Sequence, residues 1–321
     1  MSVAPSHSAR WPPILLAGGE RGTLVSEAGP ALLPFFSTRD ACALRLVCQE
    51  LRAAVREHPW EDRDTLITGS IAAWRACFPR ARCASVQSWT YRPRRCPPIV
   101  AADFVHFEGL RELRMKNSTF TDAAFVHLRG IHTLDMSWCG GITDAAFAHL
   151  RGIRTLNMDC CNQEGITDAA FAHLRGIHTL SMTMCSQPGI TDAAFAHLRG
   201  IHSLSMRGCR QDSITDAAFA HLRGIHTLDM CGCRQDSITD AAFVHLRGIH
   251  TLDMCGCNQA GITDAAFANL RGIKSLKMYS CKPACIEAAR ALGLREKSRA
   301  HFAAGPSGGL GGGGRGPPPR T

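Results

Sequence analysis

Between Thr121 and Leu276 the apolar residues return in one order. The chain reads ITDAAFAHLRGIHTLDMCGC from Ile214 to Cys233 and ITDAAFVHLRGIHTLDMCGC from Ile238 to Cys257. Equivalent threonines stand at 121, 143, 167, 191, 215, 239 and 263, one step of 22 residues followed by five of 24. A fixed period in this range marks a repeat architecture. In one copy Leu228 and Met230 alternate with Thr227 and Asp229, the two-residue period of a strand with one apolar face. Thr215 is a good N-cap, and Asp216 suits the positive end of a helix. Phe219 and Leu222, three apart, share a helical face that Gly224 can end. Each unit therefore predicts a strand, a turn and a helix of about two turns, too small to bury its own apolar face. Stacking on neighbouring units is its remedy.

Ile225, Leu228, Met230 and Cys233 give the spacing LxxLxLxxC, which resembles the cysteine-containing leucine-rich repeat. The resemblance implies an α/β repeat fold: a leucine-rich-repeat solenoid with a curved parallel sheet inside and short helices outside. It also implies an inward ladder of Cys139, Cys161, Cys185, Cys209, Cys233, Cys257 and Cys281, helping to satisfy backbone groups in the turn after each strand. SIAAWRACFPRARCASV reads as a worn copy, with Phe78, Ala81, Ala84 and Val86 matching Leu222, Ile225, Leu228 and Met230. ADFVHFEGLRELRM is a clearer one, so about nine units fill residues 65–285. CIEAARALGLREK places Ile286, Ala289 and Leu292 on one face of a capping helix over 286–301.

Upstream, Leu44, Val47, Cys48, Leu51 and Val55 lie at steps of three and four, predicting one amphipathic helix from near Asp40 to just before Pro59. Such a helix can cap the open end of a solenoid. The stretch DACALRLVCQELRAAVREHPW also resembles the C-terminal half of an F-box, with Val47, Cys48 and Trp60 at its marked positions. Gly29-Pro30 stands where that family continues its first helix, and predicts a short or broken one. The resemblance, from Leu32 to Cys285, implies a helical F-box-like domain over 24–64. The resemblance further implies that this domain docks a Skp-type adaptor through Leu33, Pro34, Leu44, Leu46, Val47, Cys48 and Trp60, with a cullin as a further partner. The chain would then be the substrate-recognition subunit of a ubiquitin ligase, with an unknown protein target on the concave face and the chemistry done by its partners. The alternative is a free-standing repeat scaffold.

On the concave side, the position between the inward leucine and methionine runs Asp135, Asn157, Ser181, Ser205, Asp229, Asp253 and Lys277. The next outward position runs Ser137, Asp159, Thr183, Arg207, Cys231, Cys255 and Tyr279. The loop that follows also varies, through NQEG, SQPG and RQDS. Large or charged groups dominate interface energetics, which selects Trp138, Asp159, Met184, Arg207, Asp229, Asp253 and Tyr279 as candidate target contacts.

Composition limits the remainder. Of 321 residues 45% are hydrophobic and 20% charged, enough for a globular middle. The Gly/Pro tail 302–321 and residues 1–23 are expected to be disordered. Pro12 and Pro13 interrupt the short apolar run near the start, which argues against a signal peptide, and no run is long enough for a membrane span. The net charge of +9 gathers in two places. Residues 65–100 hold six arginines and no acid, and 282–321 hold seven Lys or Arg against two Glu. Nucleic-acid binding would need stacking aromatics there; Trp89 and Tyr91 beside Arg92, Arg94 and Arg95 are a single such spot, and a solvated basic loop is the simpler reading. Of the 16 cysteines the ladder members read as buried, reduced thiols, which suggests a cytoplasmic or nuclear protein. In Cys231/Cys233 and Cys255/Cys257 the first member faces the concave side and the second the core, so each pair makes poor shared ligands. Neither metal nor cofactor is expected. His221 and His226 recur as rows about 5 Å apart, whose imidazoles would repel on protonation. Because Cys, His and Asp recur in every unit, no unit stands apart as a catalytic centre.

Overall fold

Seven leucines at the centres of short strands, from Leu134 to Leu276, fall beside one another when the units stack in register. A computed structural model describes residues 32–62, 66–87 and 99–294. The expectations for 1–31, including Gly29-Pro30, for Trp89 to Arg95 and for 295–321 lie outside the described residues. The strands are β1 (Cys83–Gln87), β2 (Glu112–Lys116), β3 (Thr133–Asp135), β4 (Thr155–Asn157), β5 (Thr179–Ser181), β6 (Ser203–Ser205), β7 (Thr227–Asp229), β8 (Thr251–Asp253) and β9 (Ser275–Lys277). They form one open parallel sheet in sequence order. The worn first copy belongs to it, with Ala84 beside Leu113 and Val86 beside Met115. At that end Leu66 bridges to Ser85, which covers the exposed edge of β1.

The central units bury the same set. In one copy it is Ile190, Ala194, Phe195, Leu198, Ile201, Leu204, Met206 and Cys209. The helical segment tightens as it runs: Asp192–Phe195 is α-helical and Ala196–Leu198 is a 3-10 turn, whose three-residue pitch holds Phe195 and Leu198 on one side. Gly200 then takes φ 82° with nothing near a would-be Cβ, so it is required for its conformation and not for space.

The threonine and aspartate that open each unit divide their work. Thr215 Oγ1 accepts from Ala217 N at 3.2 Å and caps its own helix. Asp216 reaches forward, accepting Thr239 N at 2.7 Å and Thr239 Oγ1 at 2.6 Å. The same clamp joins Asp144 to Thr167, Asp168 to Thr191 and Asp192 to Thr215. A charged hydrogen bond contributes about 1.5–3 kcal/mol when buried and less when half exposed, so each clamp adds modestly to the stacking of apolar faces.

Two helical expectations need correction. The single helix from Asp40 to Pro59 is two, α1 (Thr38–Leu44) and α2 (Gln49–Glu57). The chain leaves α1 at Arg45 and restarts at Cys48, whose Sγ accepts Leu51 N at 3.4 Å. Leu44, Leu51 and Val55 still face inward, but Val47 lies in the break and turns out with Leu46. At the far end the helix runs Pro283–Ala291, starting earlier than predicted because Pro283 presets the first turn. Gly293, at φ 70°, leads the chain away, so Cys285, Ala289 and Leu294 are buried while Leu292 is exposed.

Candidate functional site

Four outward acidic or amide side chains are occupied by the fold itself. Oδ1 of Asp135, Asn157, Asp229 and Asp253 accepts the backbone N–H two residues on, at 3.2, 2.9, 3.0 and 3.2 Å. This is the local turn that aspartate and asparagine favour. Asp159 reaches the next unit instead, accepting Ser181 Oγ at 2.5 Å and Thr183 N at 2.8 Å. Burial pushes the Asp229 carboxyl up, and Arg207 lies 4.0 Å from it. Asp253 is buried and pairs with Lys277 at 3.2 Å. Asp159, Asp229 and Asp253 therefore hold the turns, and Tyr279 is half-buried. Arg207 is exposed.

Trp138 and Met184, expected on the concave face, stand one residue past it, in the turn at the C-terminal ends of the strands. The backbone there is left-handed in successive units: Trp138 at φ 62°, Cys160 at 58°, Met184 at 57°, Gly208 at 66°, Gly232 at 70° and Gly256 at 69°. A side chain at such a position costs about 1–2 kcal/mol relative to glycine. Yet Trp138 is 63% exposed and Met184 56% exposed, so no burial of their own offsets that cost. A Cβ on Gly208 would sit 3.3 Å from Met184 Cγ, so the glycine leaves room for the methionine to lie along the next unit. Met184 lines a rim groove of about 470 Å³ with Arg207, Arg210, Cys231 and Arg234.

Beneath this rim runs the cysteine ladder. Cys139 Sγ donates to Met115 O at 3.4 Å, Cys161 to Met136 O, Cys185 to Met158 O and Cys209 to Met182 O at 3.1 Å each. Cys233, Cys257 and Cys281 continue it onto Met206, Met230 and Met254. Burial raises these thiols, Cys139 and Cys161 to about 12 and Cys281 to about 11. The loop after each cysteine is less variable than it reads: Gln187, Gln211 and Gln259 are buried, their amides donating to the carbonyls of Cys161, Cys185 and Cys233. The constant Gln in NQEG, SQPG and RQDS was the signal.

His178, His202, His226 and His250 form one stack, with ring centroids 4.6, 4.5 and 4.1 Å apart. Desolvation, then His250, His202 and Lys274, hold the His226 pKa below its usual value. A histidine whose folded pKa is depressed binds protons more readily in the unfolded chain. Its stabilising effect is complete above the unfolded pKa of about 6.5 and is lost as pH falls through that value toward the folded one. The melting temperature should therefore drop between pH 7.5 and 5.5, and His226→Gln should flatten the drop. Equal slopes in the two proteins would show that the stack does not titrate with folding.

The adaptor candidates divide in the same way. Leu33, Leu44 and Trp60 are buried with Ala41, Leu51, Val55, Phe78 and Ala81, so they build the N-terminal core and cannot touch a partner. Trp60 Nε1 donates to Val55 O at 2.8 Å, and its ring meets Phe78 edge-on at 5.6 Å. Cys48 is half-buried at the start of α2. Pro34, Leu46 and Val47 point outward, Leu46 at 74% and Val47 at 69% exposed.

The metal expectation considered cysteines within a unit, and those do oppose each other: Cys233 is buried and Cys231 faces outward. Stacking, however, brings Cys231, Cys255 and Asp253 together from adjacent units, a grouping that reading along the chain missed. Among the described residues no helix is long and apolar enough to cross a membrane.

No family profile and no curated protein matches the sequence. Solved structures do resemble the fold. The crystal structure of a TLR13–ssRNA13 complex matches with TM-score 0.52 and 16% identity, over 66% of this chain and 30% of that chain. The Toll–Spatzle complex, described as a hub in Drosophila development and innate immunity, matches with TM-score 0.44 and 12% identity, over 63% of this chain and 33% of that one. The chain thus spans about a third of the length of these structures. At such identity the likeness concerns the fold alone, and the fold is a leucine-rich-repeat solenoid.

Proposed function

We propose that the chain is a protein-interaction module that holds a protein target along its strand face and rim and presents its N-terminal helices to a second protein. The observation that carries the reading is the pair Trp138 and Met184, large apolar side chains kept exposed at a left-handed position that three later units give to Gly208, Gly232 and Gly256. Backbone strain of this kind persists where function uses it. Arg207, Arg210 and Arg234 around Met184 suit an acidic target segment with an apolar anchor.

For the second protein, the F-box resemblance supplies a Skp-type adaptor carrying a cullin, with this chain as the substrate-recognition subunit of a ubiquitin ligase and the transfer chemistry left to its partners. Leu46 and Val47, exposed together in the break between α1 and α2, support that docking, since exposed apolar patches commonly mark partner sites. The ladder cysteines are buried thiols that donate to methionine carbonyls, which fits a reducing cytoplasmic or nuclear setting. The contact of Trp60 with Phe78 favours the other reading, a free-standing scaffold whose helices cap the first unit.

Purification of the tagged full chain from its own host decides between them. The adaptor should accompany the native chain and be lost with Leu46→Glu, while circular dichroism stays unchanged. If the folded native chain captures no such adaptor, the helices are a cap and the scaffold reading stands.

A further inference from the structure

β7 and β8 pair with Asp229 opposite Asp253, so the outward cysteines two residues on lie over one another. The adjoining backbones are close: a Cβ placed on Gly256 would fall 4.0 Å from the Gly232 Cα. Cys231 N and Cys255 N each donate to the aspartate of their own turn, at 3.0 and 3.2 Å, which fixes the direction in which both thiols leave the turn. As a result one donor atom from each of Cys231, Cys255 and Asp253 lies within 4.8 Å of the other two. Among the described residues this is the one group of three cysteine, histidine or acidic side chains so placed.

Two sulfurs and a carboxylate oxygen are a soft, mixed donor set. Calcium and magnesium demand shells of oxygen, whereas thiolates select zinc-like ions. With zinc–sulfur bonds of about 2.3 Å, the sulfurs of a tetrahedral site stand about 3.8 Å apart, within about 1 Å of the spacing already present. We propose that Cys231, Cys255 and Asp253 bind one zinc ion, with the fourth coordination position open to solvent on the strand face.

Binding leaves the metal's charge unchanged and releases one proton from each thiol to water. Two thiolates and one carboxylate bring three negative charges to a doubly positive ion. Arg207 beside Asp229 and Lys277 on Asp253 flank the site and offset the remainder. The carboxylate oxygens of Asp253 each keep a lone pair beyond their present bonds to Cys255 N and Lys277 Nζ. The column explains why the site occurs once. Arg207 precedes Cys231 and Tyr279 follows Cys255, so a single pair of adjacent units presents two outward thiols. The ladder cysteines are buried behind the turn, each thiol donating to a methionine carbonyl.

The test uses the full chain, purified under reducing conditions, loaded with Zn²⁺ and dialysed against metal-free buffer. Elemental analysis should find one zinc per chain more than in the Cys231→Ser/Cys255→Ser variant, whereas Cys160→Ser should retain the full amount. Co²⁺ added to the native chain should show thiolate-to-metal charge transfer with a tetrahedral ligand-field spectrum. That measurement needs no variant and decides the matter if the double substitution fails to fold. Equal zinc in the native chain and a folded double variant, or a Co²⁺ spectrum without the thiolate band, would overturn the proposal.

Discussion

Arginine in place of Cys209 should unfold the solenoid around that unit. Cys209 is fully buried, its thiol donating to Met182 O at 3.1 Å, and its neighbours in the ladder are Cys185 and Cys233. The substitution would bring a guanidinium into a space shaped for one sulfur. Overpacking alone costs about 1–3 kcal/mol. Burying an unpaired charge costs several kcal/mol more, even after relaxation. Against a total stability of about 5–15 kcal/mol, a loss of about 5 kcal/mol or more leaves the unit unfolded or nearly so. Cys209→Ala removes only a weak donor and a small volume, and should cost about 1–2 kcal/mol. Urea unfolding followed by circular dichroism separates the two substitutions. An arginine variant as stable as the alanine variant would mean that the position opens to water.

Removing Thr191 to Ile214 should leave a shorter folded protein, whereas removing twelve residues from the same stretch should not. The whole-unit deletion joins Ile190 to Thr215, and Asp168 then meets Thr215 as it now meets Thr191, through the backbone N and Oγ1. Leu180 and Leu228 become neighbours on the sheet in the register that Leu204 holds with each. Since each unit contacts only those beside it, no other contact is lost. The half-unit deletion puts a helical segment where a strand must pair, and exposes Phe195 or Leu204 with the faces they cover. Circular dichroism and limited proteolysis should show a resistant core for the first and rapid digestion for the second. Equal loss in both would contradict nearest-neighbour stacking.

Much of the fold was legible because the information is local. Leu228 and Met230 two apart, Thr215 before a helical turn and Gly224 after it each specify their own neighbourhood, and the period of 24 repeats the instruction. Even the worn strand positions Ala84 and Val86 pair in register, beside Leu113 and Met115. Local pattern did not determine where the first helix breaks. Leu44, Val47, Leu51 and Val55 have helical spacing whether or not the helix is continuous, and it is the joint burial of Leu44, Trp60 and Phe78 that accompanies two shorter helices and turns Val47 outward. Nor did it show that Trp138 and Met184 occupy left-handed turns, because the glycines that reveal the position stand in other units.

The sequence by itself determined the unit, its strand and helix, its inward residues and the necessity of stacking, since a face that cannot be covered within 24 residues must be covered by the next 24. Tertiary structure decided what stacking brings together. Asp216 clamps Thr239, and Cys231 meets Cys255 and Asp253. The left-handed turn at Gly232, φ 70°, separates Cys231 from Cys233, so the first faces outward and the second the core. Parallel pairing places Cys231 one strand spacing, about 4.8 Å, from a residue a full unit away in sequence, and that distance is set by backbone hydrogen bonds between units.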